Sequence, residues 1–379
     1  MTQKVKALIR VSLIGGNITI VLFYLLACLV PFLKAGCFWF ISMLGLIFPV
    51  LFFLITGLCI YWLIRKPKWA FVYAAALLLS WQQIWVIFGF SNNKGFTVAK
   101  KPETLRVLTW NLSSWGKTNK SNGEKTDYRN EMIAVIKKTD ADVLCFQEFL
   151  FSRETNYRDS VIPELKECGY QYNYFVRFKY SKRLYKTAHI TGVVILSKYA
   201  ITDTAQFNYS DDGNTEPLIY ADIQIKNKKL RVFTAHLQSV RFEGNDYEAL
   251  HKLKEADEIN IDQSKSIVRK LKNAYKKRAL QAEILHNKIK ESPYPVIVCG
   301  DFNDVPNSYT YFTIKQNLQD AFLKKGFGFG RTFRFISPTL RIDYILADKK
   351  FTVDQYNRIT VPYSDHYPIV ADIDVTEKN

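Results

Sequence analysis

Asp301 and Asn303 close the stretch Val296–Asp304, which reads Val-Ile-Val-Cys-Gly-Asp-Phe-Asn-Asp. On an extended backbone an i, i+2 pair points both side chains to one side. The carboxylate can take a proton or orient a water. The amide can donate hydrogen bonds to an oxyanion without titrating. An equally simple reading is an Asp/Asn-rich turn capping the helix that follows, with Asp304 ahead of Pro306 and Ser308. Taken alone, the stretch does not decide between them.

Chemistry-bearing residues recur where other apolar stretches stop. Thr109-Trp110-Asn111 ends one, Gln147-Glu148 a second, Thr234-Ala235-His236 a third and Gly300-Asp301-Phe302-Asn303 a fourth. Arg341-Ile342-Asp343-Tyr344 opens another, and Ser364-Asp365-His366-Tyr367-Pro368 precedes the last. Each has a plain reading by itself. Glu148 fits a surface carboxylate, His236 a hydrogen-bonded core residue, and Asp365-His366 a turn before proline. Six such sites, all at strand ends, are hard to attribute to chance.

The elements that must position them follow from the patterning. Strands are expected at Arg106–Leu112, Asp142–Gln147, Tyr170–Phe178, Gly192–Leu196, Arg341–Leu346 and Ile369–Val375, with a hairpin of Ile219–Ile225 and Leu230–His236 turning through Asn227. Helices are expected at Asn130–Lys138, Val161–Glu167 and Gln263–Glu291, the last basic and ended by Pro293. Strands outnumber helices, which argues two packed sheets with helices outside. Gly326-Phe-Gly-Phe-Gly330 lacks the strand-to-helix setting of a dinucleotide loop and reads as a flexible loop.

Before the soluble part come three apolar runs, about residues 11–33, 38–64 and 69–90, each near the ~20 residues that span a bilayer. Residues 1–90 hold seven basic side chains and no acidic one, leaving 45 basic against 35 acidic in the rest. Basic residues sit before the first run (Lys4, Lys6, Arg10) and between the second and third (Arg65, Lys66, Lys68), against Lys34 alone in the other loop. That bias predicts an inside amino terminus and three transmembrane helices. Everything after residue 90 is then expected to be extracytoplasmic, on a multi-pass protein. Residues 1–92 are thus expected to form a membrane anchor, 93–104 a linker and 105–379 the soluble domain. Its modest basic surplus suits a phosphate-bearing partner without specifying nucleic acid. The six cysteines show neither a disulfide framework nor zinc spacing.

From Leu105 to Val375 the chain resembles the endonuclease/exonuclease/phosphatase superfamily, which includes DNase I-like nucleases, apurinic endonucleases, neutral sphingomyelinases and inositol-polyphosphate 5-phosphatases. The motifs that carry the resemblance are Trp110-Asn111, Gln147-Glu148, Gly192–Ser197, His236-Leu237, Gly300–Asn303, Arg341–Tyr344 and Ser364–His366, in the family's order. It implies a four-layered α/β sandwich and a phosphoric-ester hydrolase, here most simply a phosphodiesterase. It also implies Glu148 as principal Mg²⁺ ligand, helped by Asn111 and Asp365, with Mn²⁺ as a substitute. Asp301 is then the residue that activates water, while Asn303 and His236 bind phosphate oxygens. His366, oriented by Asp343, donates to the phosphate. The cleft is expected at strand ends facing away from the anchor. Substrates in view are a phospholipid or sphingomyelin headgroup, an inositol phosphate, or extracytoplasmic DNA or RNA. A catalytically inactive scaffold is the remaining reading. The bilayer is the expected partner and no protein partner is expected. The insertion 241–262 is not explained by the resemblance.

Overall fold

The computed structural model describes residues 2–91, 95–116, 118–119, 125–152, 161–178, 189–209, 216–242, 244, 246, 249 and 261–376. Most of the 241–262 insertion lies outside these residues.

Five helices come first: α1 (Gln3–Leu29), α2 (Ala35–Ser42), α3 (Leu44–Arg65), α4 (Pro67–Leu79) and α5 (Trp81–Ile87). The elements that build and flank the sandwich follow. In order these are β1 (Gly89–Phe90), β2 (Thr104–Asn111), α6 (Arg129–Thr139), β3 (Val143–Ser152), α7 (Val161–Glu167), β4 (Tyr172–Arg177), β5 (His189–Ser197), β6 (Ile201–Phe207), β7 (Leu218–Ile225) and β8 (Lys228–His236). The chain continues through α8 (Ile261–Lys290), β9 (Val296–Asp301), α9 (Tyr309–Lys315), β10 (Leu318–Asp320), α10 (Ala321–Lys325), β11 (Phe327–Gly328), β12 (Asp343–Asp348), β13 (Thr352–Arg358) and β14 (Ile369–Asp374).

Two six-stranded sheets face each other, ordered β13-β14-β2-β3-β5-β4 and β10-β12-β9-β8-β7-β6. Each contains one parallel pair, β2 with β3 and β8 with β9; the other pairings are antiparallel. Strands covered on both faces have no solvent-facing side, so they are near-continuous apolar runs and any polar residue in them needs a partner. Accordingly β2 and β9 are buried at every position. Val107, Cys145 and Ile195 of the first sheet meet Ile219, Val232, Ile297 and Cys299 of the second. The alternate side chains, Leu108, Leu144 and Val194, pack outward on Met132, Ile133, Ile136 and Leu165 of α6 and α7. Those of the second sheet, Phe233, Val298 and Leu346, pack on Ala282, Leu285, Tyr311 and Ile314 of α8 and α9. The four layers expected from the resemblance are present.

The parallel pairs place the site. Asn111 lies level with Gln147, and His236 level with Asp301, which in turn lies level with Asp343. The carboxyl ends of both pairs therefore open on one edge of the sandwich, and Gln147 ties them. Its Nε2 donates to Thr109 Oγ1 in its own sheet at 3.2 Å and to Thr234 Oγ1 across the sandwich at 2.8 Å.

Two amino-terminal helical segments, Gln3–Phe32 and Leu44–Arg65, are long and apolar enough to cross a membrane, with mean hydropathy 2.3 and 2.4. The third apolar run is broken. Helices α4 and α5 meet at 62° around Ser80, whose Oγ donates to Leu77 O and bonds Tyr24 Oη. The second run is also shorter than expected. Residues 38–42 belong to α2, which packs along α8 with Trp39 beneath Lys272 Nζ at 5.1 Å.

The amino-terminal helices, expected to be an anchor, pack directly on the sandwich. Tyr24, Phe48 and Ile87 share one apolar cluster with Phe302, Tyr311 and Tyr344. Asn307 Nδ2 donates to Ala27 O at 3.0 Å, Lys34 pairs with Glu283 at 2.7 Å, and β1 adds to β11 as an antiparallel pair. A Cβ on Gly45 would lie 2.4 Å from Asn307 O, so the approach of α3 requires glycine. The cleft does not face away from the anchor. Asn307, just past the Asp301–Asn303 turn, and Arg341, just ahead of Asp343, both bind anchor carbonyls.

Arg341 is fully enclosed, paired with Asp320 at 2.6 Å and donating to Val86 O. Burial lowers the stability of its charge, but Asp320 outweighs that and keeps it protonated. Asp320→Ala leaves a buried guanidinium without its counter-charge, at a cost of about 3–5 kcal/mol. The full chain in detergent should unfold correspondingly earlier in denaturant.

Candidate active site

Gly300 has φ +134°, and a Cβ there would fall 2.0 Å from Ala235 O. Only glycine lets β9 press on β8 so closely that Asp301 and His236 share one level. Asn303 is not placed by strand alternation. Its φ of +53° turns the chain back in a left-handed conformation that asparagine tolerates. Its N–H donates to Asp301 Oδ1 at 2.8 Å and its Nδ2 to Asp301 Oδ2 at 3.2 Å. The two side chains converge through this turn.

Glu148 reaches the cleft through a bulge. Phe146 pairs with Val194 and Phe149 with Gly192, so Gln147 and Glu148 together oppose one residue of β5. Glu148 takes φ +49° there, and such bulges re-aim side chains. Asn111 Nδ2 lies 3.3 Å from Glu148 Oε1 and 3.1 Å from Asp301 Oδ2.

Two histidines flank Asp301, whose side chain is fully buried. His366 Nε2 lies 3.7 Å from Asp301 Oδ2, and its Nδ1 meets Asp343 Oδ2 at 2.9 Å. His236 Nε2 lies 3.6 Å from the same Asp301 oxygen, and its Nδ1 meets Glu216 Oε2 at 2.8 Å. The Trp110 indole donates to His366 O at 2.9 Å, and Ser364 Oγ donates to Asn111 O at 2.7 Å. Together these bonds fix the Ser364–His366 turn on the end of β2. Phe333 covers the His366 ring edge-on, centroid to centroid 5.1 Å.

The charges are strongly interdependent. Burial works against a charged His236, but Glu216, then Asp301 and Glu148, outweigh it and raise its pKa to about 9. Burial likewise opposes charge on His366, and Asp343 and Asp301 reverse that, raising it well above an ordinary imidazole. Asp301 is itself raised, chiefly by burial, with the two histidines partly offsetting. Glu148 keeps 39 % of its side-chain surface exposed. Desolvation in the cleft still raises it, and Asp365 and Glu216 add to the rise while His236 opposes it.

All eight residues singled out from the sequence (Asn111, Glu148, His236, Asp301, Asn303, Asp343, Asp365 and His366) collect on this edge. Among the described residues, the His and carboxylate set with ligand atoms all within 4.8 Å is Asp301, Asp343 and His366, not the Glu148 group. Those three already satisfy one another. Glu148 and Asp365, with Glu216 behind, offer the surplus of hard oxygen donors that a hard divalent ion would relieve. Asn111 would join through Oδ1, which now accepts from Ser113 N at 3.0 Å.

Glu216 escaped the sequence reading. It lies ahead of β7 beside Pro217, in no motif, and its contacts with His236 and with the Glu148 N–H reveal it. His189, which opens β5, has its side chain outside the described residues.

A sequence model described as the endonuclease/exonuclease/phosphatase family matches residues 108–366. The chain belongs to that family. It is a hydrolase of phosphoric esters, and the family generally uses divalent metals. Among solved structures, the human Nocturnin catalytic domain with bound sulfate is similar at 19% identity and a TM-score of 0.50. That match covers 73% of this chain and 96% of that one. An endonuclease/exonuclease/phosphatase from Beutenbergia cavernae DSM 12333 gives the same identity and TM-score over 71% of each chain. At that identity these matches speak for the fold. A sequence search of curated proteins returns no match. Residues 10–87 match a separate domain of unknown function, so the anchor is not part of the family core.

A raised histidine pKa stabilises the fold below the unfolded value and loses that contribution as pH climbs through the folded one. For His236 the window runs from 6.5 to about 9. Glu216→Gln removes the leading upward influence. The fall in melting temperature across that window should flatten in the variant, as followed by differential scanning fluorimetry.

Proposed function

We propose that this chain is a membrane-anchored phosphodiesterase in which water, activated by Asp301, attacks phosphorus directly. The observation that carries the reading is the buried Asp301 carboxylate held between two imidazoles, each backed by its own carboxylate. A desolvated carboxylate with a raised pKa is a stronger base than one in water. Asn303 and His236 bind phosphoryl oxygens. Charged His366 donates to the phosphate as negative charge develops. The water oxygen bonds to phosphorus as the ester P–O bond breaks, and Asp301 takes a water proton. The leaving oxygen becomes an alcohol with a proton from His366, which recovers it from Asp301 across 3.7 Å.

Glu148, Asn111 and Asp365 would hold Mg²⁺, with Mn²⁺ as a substitute. The ion would supply Lewis-acid polarisation of a phosphoryl oxygen and neutralise developing charge. Bulge-strained Glu148, exposed on one side, suits that role.

The full chain in detergent should hydrolyse bis(p-nitrophenyl) phosphate with Mg²⁺ or Mn²⁺ and lose activity in EDTA. His366→Ala and Asp301→Asn should each lower kcat by about 10²–10⁴-fold. Glu148→Gln should raise the metal concentration needed. Equal activity in all three variants would overturn the site.

The same reading divides the chain into an anchor (1–92), a junction (93–104) and a catalytic domain (105–379). Helices α1 and α3 run antiparallel, with Trp62 Nε1 donating to Asn17 Oδ1 at 3.0 Å. The basic Arg65–Lys68 turn therefore shares an end with the amino terminus, remote from the catalytic domain. With that end cytoplasmic, the bent α4–α5 pair completes a third crossing and the active site lies outside. A carboxyl-terminal alkaline phosphatase fusion should be active in bacterial cells and a green fluorescent protein fusion dark. The reverse pattern would reject the outward placement.

A further inference from the structure

The loop between β11 and β12 touches the anchor at one side and the active site at the other. On the anchor side, Phe329 packs on Phe88 at 4.7 Å and on Phe53 at 6.2 Å between ring centroids. Thr339 borders a crevice shared with Pro49 and Ile87. On the site side, Phe333 meets the His366 ring, and Arg334 N–H donates to Asp365 O at 2.8 Å. Thr332 Oγ1 accepts from the N–H of Asp343 at 3.1 Å. One short segment thus spans from lipid-facing helices to the catalytic histidine.

This segment also carries features the catalytic reading does not use. Phe335 stacks edge-on against Phe333 at 5.9 Å yet is 50% exposed. The next residue, Ile336, has φ +68°, a costly conformation for a β-branched side chain, and such strain marks functional segments. Phe327 is 79% exposed, and its strand partner Phe90 is exposed beside Trp85. Three arginines lie behind the loop. Arg331 and Arg334 donate to the carbonyls of Phe333, Pro362 and Ser364, and Arg358 donates to Arg331 O. Among the described residues, none of the three pairs with a carboxylate within 4.0 Å. Exposed aromatic residues beside unpaired cations, continuous with apolar helices, match the headgroup region of a bilayer.

We infer that the substrate is an amphiphilic phosphodiester drawn from the leaflet beside the catalytic domain, with Phe335 and Phe327 seated among headgroups at the cleft rim. The inference rests on the phosphodiesterase reading above and names its substrate class.

Two measurements test this. The full chain in phosphatidylcholine vesicles doped with phosphatidylglycerol, phosphatidylethanolamine or sphingomyelin should release a phosphorylated headgroup. At equal bulk concentration it should do so at least ten-fold faster than from the short-chain, water-soluble analogue of the same lipid. Phe335→Ser with Phe327→Ser should cut vesicle turnover at least ten-fold and leave bis(p-nitrophenyl) phosphate hydrolysis within two-fold of wild type. Equal loss on both substrates, no loss on vesicles, or faster cleavage of plasmid DNA or RNA than of any lipid would overturn the inference. If bis(p-nitrophenyl) phosphate is not hydrolysed at all, the phosphodiesterase reading fails instead. Bilayer seating is then judged independently: a bimane label on Phe335→Cys should be quenched by brominated lipid in nanodiscs, and an unquenched label rejects it.

Discussion

A buried carboxylate with no arginine or lysine partner among the described residues is the constraint on which this molecule turns. Asp301 is fully enclosed, and its opposing charge comes from imidazoles that desolvation would otherwise neutralise. Each imidazole stays charged only because another carboxylate stands behind it, Asp343 for His366 and Glu216 for His236. These five groups must be delivered to one edge of the sandwich, by the carboxyl ends of β8 and β9, the amino-terminal sides of β7 and β12, and the turn before β14. That requirement explains the fully buried strands, the glycine at 300 and the Gln147 bridge between sheets.

The two sheets contribute different chemistry. The second supplies Asp301, His236 and Asp343 from strand ends in tight register, a geometry suited to proton movement over short distances. The first supplies Asn111 and Glu148, the latter lifted by a bulge, and with Asp365 these form the oxygen-rich side. On the mechanism proposed above, this separates proton-handling groups from hard oxygen donors and keeps the carboxylates from competing for one charge. Asn111 stands between the two sides, within hydrogen-bond reach of both Glu148 and Asp301.

Much of this was legible in the sequence because strand ends punctuate apolar runs, and polar residues there have few other places to point. The hairpin at Asn227, helix α7 and the long helix α8 follow from local patterning alone. What stayed hidden depends on contacts distant in sequence. Glu216 has meaning only beside His236. The Glu148 bulge is a property of pairing with β5, and the Asn303 turn of a single dihedral. Buried pairs such as Arg106 with Asp372 and Arg231 with Asp222 read, in sequence, as ordinary surface charges. Ser80 interrupts an apolar run without any proline or glycine to announce the bend. The short strands β10 and β13 and the edge strand β6 carry too little apolar alternation to stand out.

The shared cluster of Tyr24, Phe48 and Ile87 with Phe302 and Tyr311 has a consequence for how the protein is made. On the membrane-anchored reading proposed above, part of the enzyme's interior is supplied by helices that enter the bilayer, so the sandwich completes its core only against inserted helices. Shedding by a protease near residue 91 would leave the released fragment with an open apolar wound, prone to clump rather than diffuse away. Residence in the bilayer is, on this view, a condition of the folded state as well as an address.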